Sequence, residues 1–233
     1  MYFDGETVAM LDVENAKVYL LNLAKKSVVT RKDGKVENGN FVALHQDEPY
    51  VFSTNDGVFR ITSDKTEVLI EKDEEWGDIK DMWMYNGNIY MVDAGKDELY
   101  KYLVAEGGYS AKTSYIKSGK ADLAKASSMA IDRSVYVALG SRVLKYESGN
   151  SVAFSIKIPG GDDIEFDDIF SSEDLDNVYL LDKESKKIFV VSKEGEFLKQ
   201  ISASAIENST DFVVDQEQGI LLLVKDKIIR IIE

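Results

Sequence analysis

Short apolar runs, each bounded by polar or turn-forming residues, recur along the whole chain. Examples are VYLLNL, NIYMVD, VYVAL and IFVVS. These runs are rich in β-branched and aromatic residues and are separated by Gly, Asn, Asp or Lys, which is typical of antiparallel strands joined by tight turns. Helical periodicity is confined to two short pieces, near KADLAKAS and SASAIENS. The pattern therefore predicts an all-β protein.

The apolar runs repeat with a nearly constant period. Similar runs are separated by steps of 42, 39, 46, 43 and 42 residues, and another short apolar run precedes almost every one of them. Four short strands, a to d, fit into each complete copy, and about 40–45 residues with four strands is the spacing of a propeller blade. We therefore expect a six-bladed β-propeller of four-stranded antiparallel blades. The second strand of each copy begins at Val8, Tyr50, Ile89, Val135, Val178 or Ile220.

The period also predicts the limits of the blades. A single domain over 1–233 would contain blades at about 1–35, 36–76, 77–122, 123–161, 162–205 and 206–233. No fourth strand follows KIIRII in the last copy. The last blade is then either incomplete or closed by the N-terminal residues, which would add to its outer edge. The alternative for MYFDG is a short first strand of the first blade.

Composition excludes several classes of function. The 233 residues carry 42 acidic and 28 basic side chains, for a net charge of −14, so nucleic acid is not an expected partner. There is no apolar run long enough to predict membrane insertion. Cysteine is absent and His45 is the single histidine, which excludes thiolate catalysis and a multi-histidine metal site. We expect a monomer, located in the cytoplasm or forming a soluble domain of a larger envelope-associated protein.

Two segments resemble the NHL repeat. NVYLLDKESKKIFVVSKEGEFLKQI is similar to the IYVAD strand, polar turn and following strands of that family, and SSMAIDRSVYVALGSRVLKYESG is similar to the segment that leads into the same motif. The histidine of the family is missing, since Glu184 and Ser185 stand near its place. The resemblance implies a bacterial propeller domain of the kind attached to larger signalling or envelope proteins. It also implies a binding platform, although a minority of six-bladed relatives are calcium-dependent lactonases.

Short oxygen-bearing residues recur where strand a begins. In a propeller such a ring would surround the central axis and could hold a hard cation such as Ca²⁺, which takes 6–8 oxygen ligands. The alternative is structural, because Asp, Asn and Ser at the entry to a strand bond to nearby backbone amides. No cofactor is expected under the structural interpretation, and Ca²⁺ is the ion expected under the other. The residues of this column are Asn40, Asp81, Ser128, Asp168 and Asp211.

The loops that connect strand d to the next strand a combine aromatic and acidic residues. Loops on a rigid scaffold are common binding sites, and aromatic rings among carboxylates suit a basic peptide or protein surface. The alternative is that the acids are only solvated and the tryptophans pack inside. The residues predicted to form a binding rim are Trp76, Asp78, Asp162, Asp163, Glu165 and Asp167.

These features lead to three hypotheses about function. The first is a non-enzymatic module that binds a ligand, protein or peptide through the rim and forms part of a larger bacterial protein. The second is a calcium-dependent hydrolase of lactonase type with its metal at the mouth of the channel. The third is a structural module without a ligand. The first is the expectation, because the chain contains no P-loop, dinucleotide fingerprint or nucleophile elbow.

Overall fold

A computed structural model describes residues 1–118, 121–159, 163–217 and 219–231. Within these ranges the chain forms six antiparallel sheets of three or four strands, which are the blades of a six-bladed β-propeller, and one two-stranded hairpin. The predicted fold class is therefore confirmed. No helix in the described part of the chain is long and apolar enough to cross a membrane.

The first three sheets have four strands each. The first sheet contains β1 (Tyr2–Phe3), β2 (Thr7–Asp12), β3 (Lys17–Asn22) and β4 (Ser27–Lys32). The second contains β5 (Phe41–His45), β6 (Glu48–Ser53), β7 (Gly57–Ile61) and β8 (Thr66–Ile70). The third contains β9 (Ile79–Tyr85), β10 (Asn88–Asp93) and β11 (Glu98–Tyr102). A separate hairpin of β12 (Val104–Ala105) and β13 (Gly108–Tyr109) follows β11. The fourth strand of the third sheet is then β14 (Thr113–Ser114).

The last three sheets follow the same strand order. The fourth contains β15 (Ala126–Ile131), β16 (Val135–Leu139), β17 (Arg142–Glu147) and β18 (Asn150–Val152). The fifth contains β19 (Asp168–Phe170), β20 (Asn177–Asp182), β21 (Lys187–Ser192) and β22 (Phe197–Ser202). The sixth has three strands among the described residues, β23 (Asp211–Asp215), β24 (Gly219–Val224) and β25 (Lys227–Ile231).

The N-terminal residues belong to the first sheet. Tyr2 lies opposite Ala9 and Phe3 opposite Val8 in an antiparallel pair. Of the two alternatives for this segment, the structure therefore contains the short first strand. Two five-residue 3-10 helices, Gly34–Asn38 and Ser204–Asn208, lead from a fourth strand to the next first strand.

A repeated local motif forms the turn between the second and third strands of four sheets. The residue that ends the second strand accepts a bond from the amide three residues later, which is the bonding that Asp and Ser provide in tight turns. One residue further on, the backbone has a positive φ, of 55° at Ala16, 84° at Gly57, 55° at Asp97 and 57° at Lys186. The donor amides and acceptor side chains are Asn15 to Asp12 (3.1 Å), Asp56 to Ser53 (3.2 Å), Lys96 to Asp93 (3.1 Å) and Ser185 to Asp182 (3.0 Å).

The chain divides into two compact units. Unit 1 comprises Met1–Trp76, Met84–Tyr90 and Lys101–Thr113, and unit 2 comprises Gly77–Trp83, Met91–Tyr100 and Ser114–Glu233. The core of unit 1 includes the buried rings of Phe52 and Phe59. In unit 2 the ring of Phe170 lies 5.9 Å from that of Trp83 and 6.2 Å from that of Phe212. These buried aromatic contacts hold the strands of unit 2 that carry the candidate site.

Candidate functional site

Three residues of the predicted column meet in unit 2. Asp81 lies in β9, Ser128 in β15 and Asp168 at the start of β19, so each lies in the first strand of its sheet. The Ser128 hydroxyl oxygen is 2.6 Å from Oδ1 of Asp168 and 3.0 Å from Oδ2 of Asp81. The result is a carboxyl–hydroxyl–carboxyl group, called here the Ser128 bridge.

Backbone amides fix both carboxyl groups of the Ser128 bridge. The amide of Met82 donates to Oδ1 of Asp81 (2.7 Å), and the amide of Met129 donates to Oδ2 of the same residue (2.9 Å). The amide of Ile169 donates to Oδ1 of Asp168 (2.8 Å). Each aspartate thus accepts a bond from the residue that follows it, which turns its side chain back along its own strand.

The surroundings of the Ser128 bridge favour the protonated form of both carboxyl groups. Burial raises the pKa of Asp81 to about 6, and the negative charge of Asp211 contributes in the same direction. Burial and then the charge of Asp211 raise the pKa of Asp168 well above its ordinary value, and the charge of Asp81 adds to this. A carboxylate removed from water and placed beside other carboxylates gains a proton more readily.

The geometry of the Ser128 bridge requires a shared proton. A serine hydroxyl has one proton to donate, but its oxygen lies within bonding distance of two carboxyl groups. If Asp168 is protonated, it can donate to the hydroxyl at 2.6 Å while the hydroxyl donates to Asp81 at 3.0 Å. One protonated and one ionised carboxyl group therefore satisfy all three residues.

The other two residues of the column are placed differently. Asp211 begins β23 in unit 2 and acts on the Ser128 bridge through its charge. Asn40 belongs to unit 1, where its side-chain oxygen accepts a bond from the amide of Thr54 at 3.1 Å. The role of Asn40 in the predicted column stays a prediction.

Two residues of the predicted rim come directly before β9. The indole Nε1 of Trp76 donates to the hydroxyl of Tyr102 (2.9 Å), and its ring lies 5.3 Å from that of Phe52, so the side chain is half-buried in unit 1. Asp78 is exposed and forms an ion pair with Lys80 (2.7 Å).

The remaining rim residues come before β19. Asp163 and Glu165 are exposed. Asp167 is half-buried, and its Oδ2 accepts a bond from the amide of Lys183 at 2.7 Å. Asp162 lies outside the described residues. The assignment of these six residues to a binding surface stays a prediction.

A buried ion pair was not predicted from the sequence. Asp132, directly after β15, is 2% exposed and pairs with Lys193 at 2.9 Å. Its oxygens also accept bonds from the amide of Ser134 (2.7 Å) and the hydroxyl of Ser171 (3.2 Å). This set, called here the Asp132 network, borders a cavity of about 410 Å³. The signal in the sequence is weak, because Asp132 follows an apolar run as many turn residues do.

The described residues contain no group of three or more His, Cys, Asp or Glu side chains arranged to hold a metal ion. In the Ser128 bridge, both oxygens of Asp81 and Oδ1 of Asp168 already accept bonds from protein donors. As arranged, these residues do not fit Ca²⁺, which needs several oxygens directed at one point. Calcium binding stays a proposal that titration can test.

Comparison by sequence finds no relative. No protein-family profile matches the chain, and no curated protein matches it.

Solved structures share the fold at low sequence identity. A gluconolactonase from Xanthomonas campestris has a TM-score of 0.65 and 14% identity, over 94% of this chain and 79% of that protein. Virginiamycin B lyase from Staphylococcus aureus has a TM-score of 0.61 and 12% identity, over 96% and 75% of the two chains. A nidogen–laminin complex has a TM-score of 0.63 and 11% identity, over 88% and 80%. At such identities the likeness shows the fold alone.

The structural neighbours correct one prediction. The chain was expected to be non-enzymatic because it contains none of the common catalytic motifs, and that expectation was wrong, because most of the similar structures are enzymes, gluconolactonases and streptogramin lyases. The physical reason is that a propeller can bring side chains from separate strands together. Such a site leaves no short motif in the sequence.

Proposed function

We propose that this protein is an enzyme that performs acid–base chemistry on a small polar substrate at the Ser128 bridge. One observation carries the proposal: a single hydroxyl lies within 3.0 Å of two carboxyl groups, Asp81 and Asp168, whose pKa values are both raised. Titratable groups perturbed by burial and by a specific charged partner are common at catalytic sites. The enzymes among the structural neighbours support the same class of function.

The proposed chemistry uses the two carboxyl groups in opposite roles. Ionised Asp81 accepts a proton from an attacking water or from a carbon next to a carbonyl group, and protonated Asp168 donates a proton to the leaving oxygen. In hydrolysis the water oxygen bonds to the carbonyl carbon and the bond to the leaving oxygen breaks. In elimination the carbon that loses the proton forms a double bond to its neighbour, the bond from that neighbour to the ester oxygen breaks, and the carboxyl group leaves with the electron pair and takes the proton from Asp168. Hydrolysis of a lactone and opening of a cyclic ester by elimination both belong to this class.

Activity measurements test the proposal. The purified protein would be assayed with gluconolactone and other sugar lactones by proton release, and with cyclic esters by the absorbance of the unsaturated product. We expect turnover with at least one substrate, and a loss of about 100-fold or more in Asp168→Asn. The rate should increase with pH through about 6, as Asp81 becomes ionised.

A matched control comes from the neighbouring serine. The Ser127 hydroxyl donates to the carbonyl of Phe166 at 2.7 Å and bonds to neither carboxyl group. Ser127→Ala should keep its activity while Ser128→Ala loses it. Absence of turnover across both substrate panels, or full activity in Asp168→Asn, would contradict the proposal.

A second candidate is binding of a basic protein or peptide by the predicted rim. Asp163 and Glu165 are exposed beside the start of β19, and two propellers of similar fold are described in complexes, nidogen with laminin and YCF48 with a D1 peptide. A fluorescent Lys-rich peptide would test it. Binding should weaken when Asp163→Asn and Glu165→Gln are combined. Equal binding by the variant and the unsubstituted protein would contradict it.

The finer assignments made from the sequence belong with these proposals. They are the NHL-like character of the repeats, the blade limits within one domain of 1–233, and the membership of a larger bacterial protein. The NHL-like segments coincide with the fourth and fifth sheets, which supports their assignment as repeats of one type.

A further inference from the structure

The cavity beside the Asp132 network is bordered by a second lysine. Lys145 belongs to β17, the third strand of the fourth sheet, and lines this cavity together with Lys193. Its Nζ donates to the backbone carbonyl of Lys193 at 3.0 Å and lies 5.5 Å from the ring centroid of Tyr136. The side chain is 12% exposed, so its ammonium group is largely removed from water.

The charge of Lys145 is compensated less than that of Lys193. Lys193 pairs at 2.9 Å with the buried carboxylate of Asp132. The acid beside Lys145 is Glu147 at 3.2 Å, and the side chain of Glu147 is 55% exposed. An ion pair with an exposed carboxylate contributes little, while removal of a cation from water is costly unless it is paired. An anionic group in the cavity would supply the partner that Lys145 needs.

Proton donors for such an anion are already directed to this region. An ammonium group has three protons. Among the described residues, Lys145 uses two of them on the carbonyl of Lys193 and on Glu147. Lys193 uses two on Asp132 and on the carbonyl of Ser172. One proton of each lysine can therefore be donated to a carboxylate in the cavity.

The other residues around the cavity limit the kind of anion. In the described part of the chain, four acidic and three basic side chains line it. Three of the acids are exposed: Glu173, Asp176 and Glu194. These carboxylates would repel a ligand of net negative charge and attract an amine. A ligand that carries both a carboxylate and an ammonium group fits both parts of the lining.

We propose that this cavity binds a small zwitterion of the α-amino acid type. The carboxylate of the ligand accepts bonds from Lys145 and Lys193. Its ammonium group lies near the carboxylates of Asp176 and Glu194, and its side chain contacts Leu175, which is also in the lining. A volume of about 410 Å³ is within the range of pockets that hold small molecules.

Titration with amino acids tests the proposal. The standard amino acids would be screened at about 10 mM by thermal melting, and calorimetry would measure the affinity of those that bind. We expect at least one to raise the melting temperature by about 2 °C or more, because a ligand of the folded state stabilises it. The matching carboxylic acid, which lacks the ammonium group, should bind about tenfold more weakly.

Two lysine variants give a matched pair. Lys145→Met removes the ammonium group but keeps an unbranched side chain against Tyr136, and should weaken binding about tenfold or more. Lys187→Met removes the same charge from another lysine near a ring, since its Nζ lies 5.9 Å from the ring centroid of Phe189. Lys187 is not among the described residues that line the cavity, so this variant should bind as the unsubstituted protein does.

A double variant tests the other end of the ligand. Asp176→Asn and Glu194→Gln change two exposed side chains, so the combined variant should fold even if Lys145→Met does not. It should bind the amino acid more weakly and leave binding of the matching carboxylic acid unchanged.

The site should be independent of the Ser128 bridge. Asp132 follows Ser128 by four residues, which is about 13 Å along a strand. Asp168→Asn should therefore bind the amino acid with unchanged affinity.

Any of four results would overturn the proposal. One is the absence of a melting shift and of heat with every amino acid of the panel. Equal binding of the amino acid and its matching carboxylic acid would exclude a zwitterion site. Equal loss of binding in Lys145→Met and Lys187→Met would indicate general charge attraction. Loss of binding in Asp168→Asn would assign the ligand to the Ser128 bridge.

Discussion

The Ser128 bridge contains half-buried aspartates and the Asp132 network a fully buried one, and the two sites compensate the carboxylate charge differently. Asp132 has a lysine at 2.9 Å, together with an amide and a hydroxyl. Asp81 and Asp168 have amides and one shared hydroxyl, and the charges that act on them among the described residues are those of other aspartates. Burial alone does not decide what a carboxyl group does. The presence or absence of a cation separates a residue that ties strands together from one that can exchange a proton.

Removal of the Lys193 ammonium group from the Asp132 network should change the stability of the folded protein more than any other variant. Lys193→Met leaves Asp132 buried without its partner, and the loss of one member of a buried pair is strongly destabilising. We expect the free energy of unfolding to decrease by about 3 kcal/mol in urea titrations. Lys125→Met removes an exposed lysine and should change stability little. The double variant Asp132→Asn, Lys193→Met should recover part of the loss, and no recovery would contradict the role of the pair.

Removal of the carboxyl group of Asp168 from the Ser128 bridge should stabilise the folded protein, whereas Lys193→Met destabilises it. The raised pKa of Asp168 means that the folded protein binds a proton at a pH where the unfolded chain has lost it. Stability therefore falls as the pH increases from the ordinary carboxyl range through the folded pKa. Asp168→Asn retains an oxygen to accept from the amide of Ile169, and its uncharged side chain removes this penalty. Thermal melting should show a stabilised variant at about pH 8 and a smaller difference at about pH 4. An equal difference at both values would contradict the raised pKa.

Loss of the bridging hydroxyl should shift the proton equilibrium. The bond from Ser128 lowers the pKa of Asp81 and of Asp168, against the larger effect of burial. Ser128→Ala should raise the pKa of Asp81 above its value of about 6, by up to about one pH unit. Carboxyl ¹³C NMR titration measures this directly. Ser127→Ala is the control, and a matching change in that variant would show that the hydroxyl of Ser128 is not the cause.

Addition of Ca²⁺ should change the melting temperature of the protein least. Because the oxygens of Asp81 already accept protein bonds, we expect millimolar Ca²⁺ to shift the melting temperature by less than about 1 °C and to give no saturable heat in calorimetry. A saturable heat that disappears in Asp168→Asn would show that the Ser128 bridge rearranges to bind the ion.

The fold could be predicted from the sequence because each second strand is an apolar run at a regular interval. The run that begins at Val135 and the run that begins at Val178 form the second strands of their sheets, β16 and β20. Each of these strands pairs with a neighbour on both sides, as the repeat requires. The column of short oxygen-bearing residues likewise anticipated that Asp81, Ser128 and Asp168 would meet. Position within a repeat is enough to predict such proximity, since equivalent residues occupy equivalent places in neighbouring sheets.

The chemistry of the site could not be predicted in the same way. Whether Asp168 holds a proton depends on the depth of burial and on the charges of Asp81 and Asp211, which are distant in sequence. The pairing of Asp132 with Lys193 is equally non-local. The prediction of a non-enzymatic protein failed for a related reason: motif searches detect sites built from one segment, whereas a propeller can bring together side chains of separate strands.

The turns between second and third strands carry a further consequence. Ala16, Asp97 and Lys186 adopt φ values within 2° of one another, in a region where side chains are unfavourable. Gly57 occupies the same place without that cost. Glycine at Ala16 or Lys186 would relieve local backbone strain, whereas at Asp97 it would also remove the bond that the carboxylate accepts from the amide of Leu123 at 2.7 Å. The repeat thus indicates which substitution would stabilise these turns, because one of the four turns already contains the glycine that the other three lack.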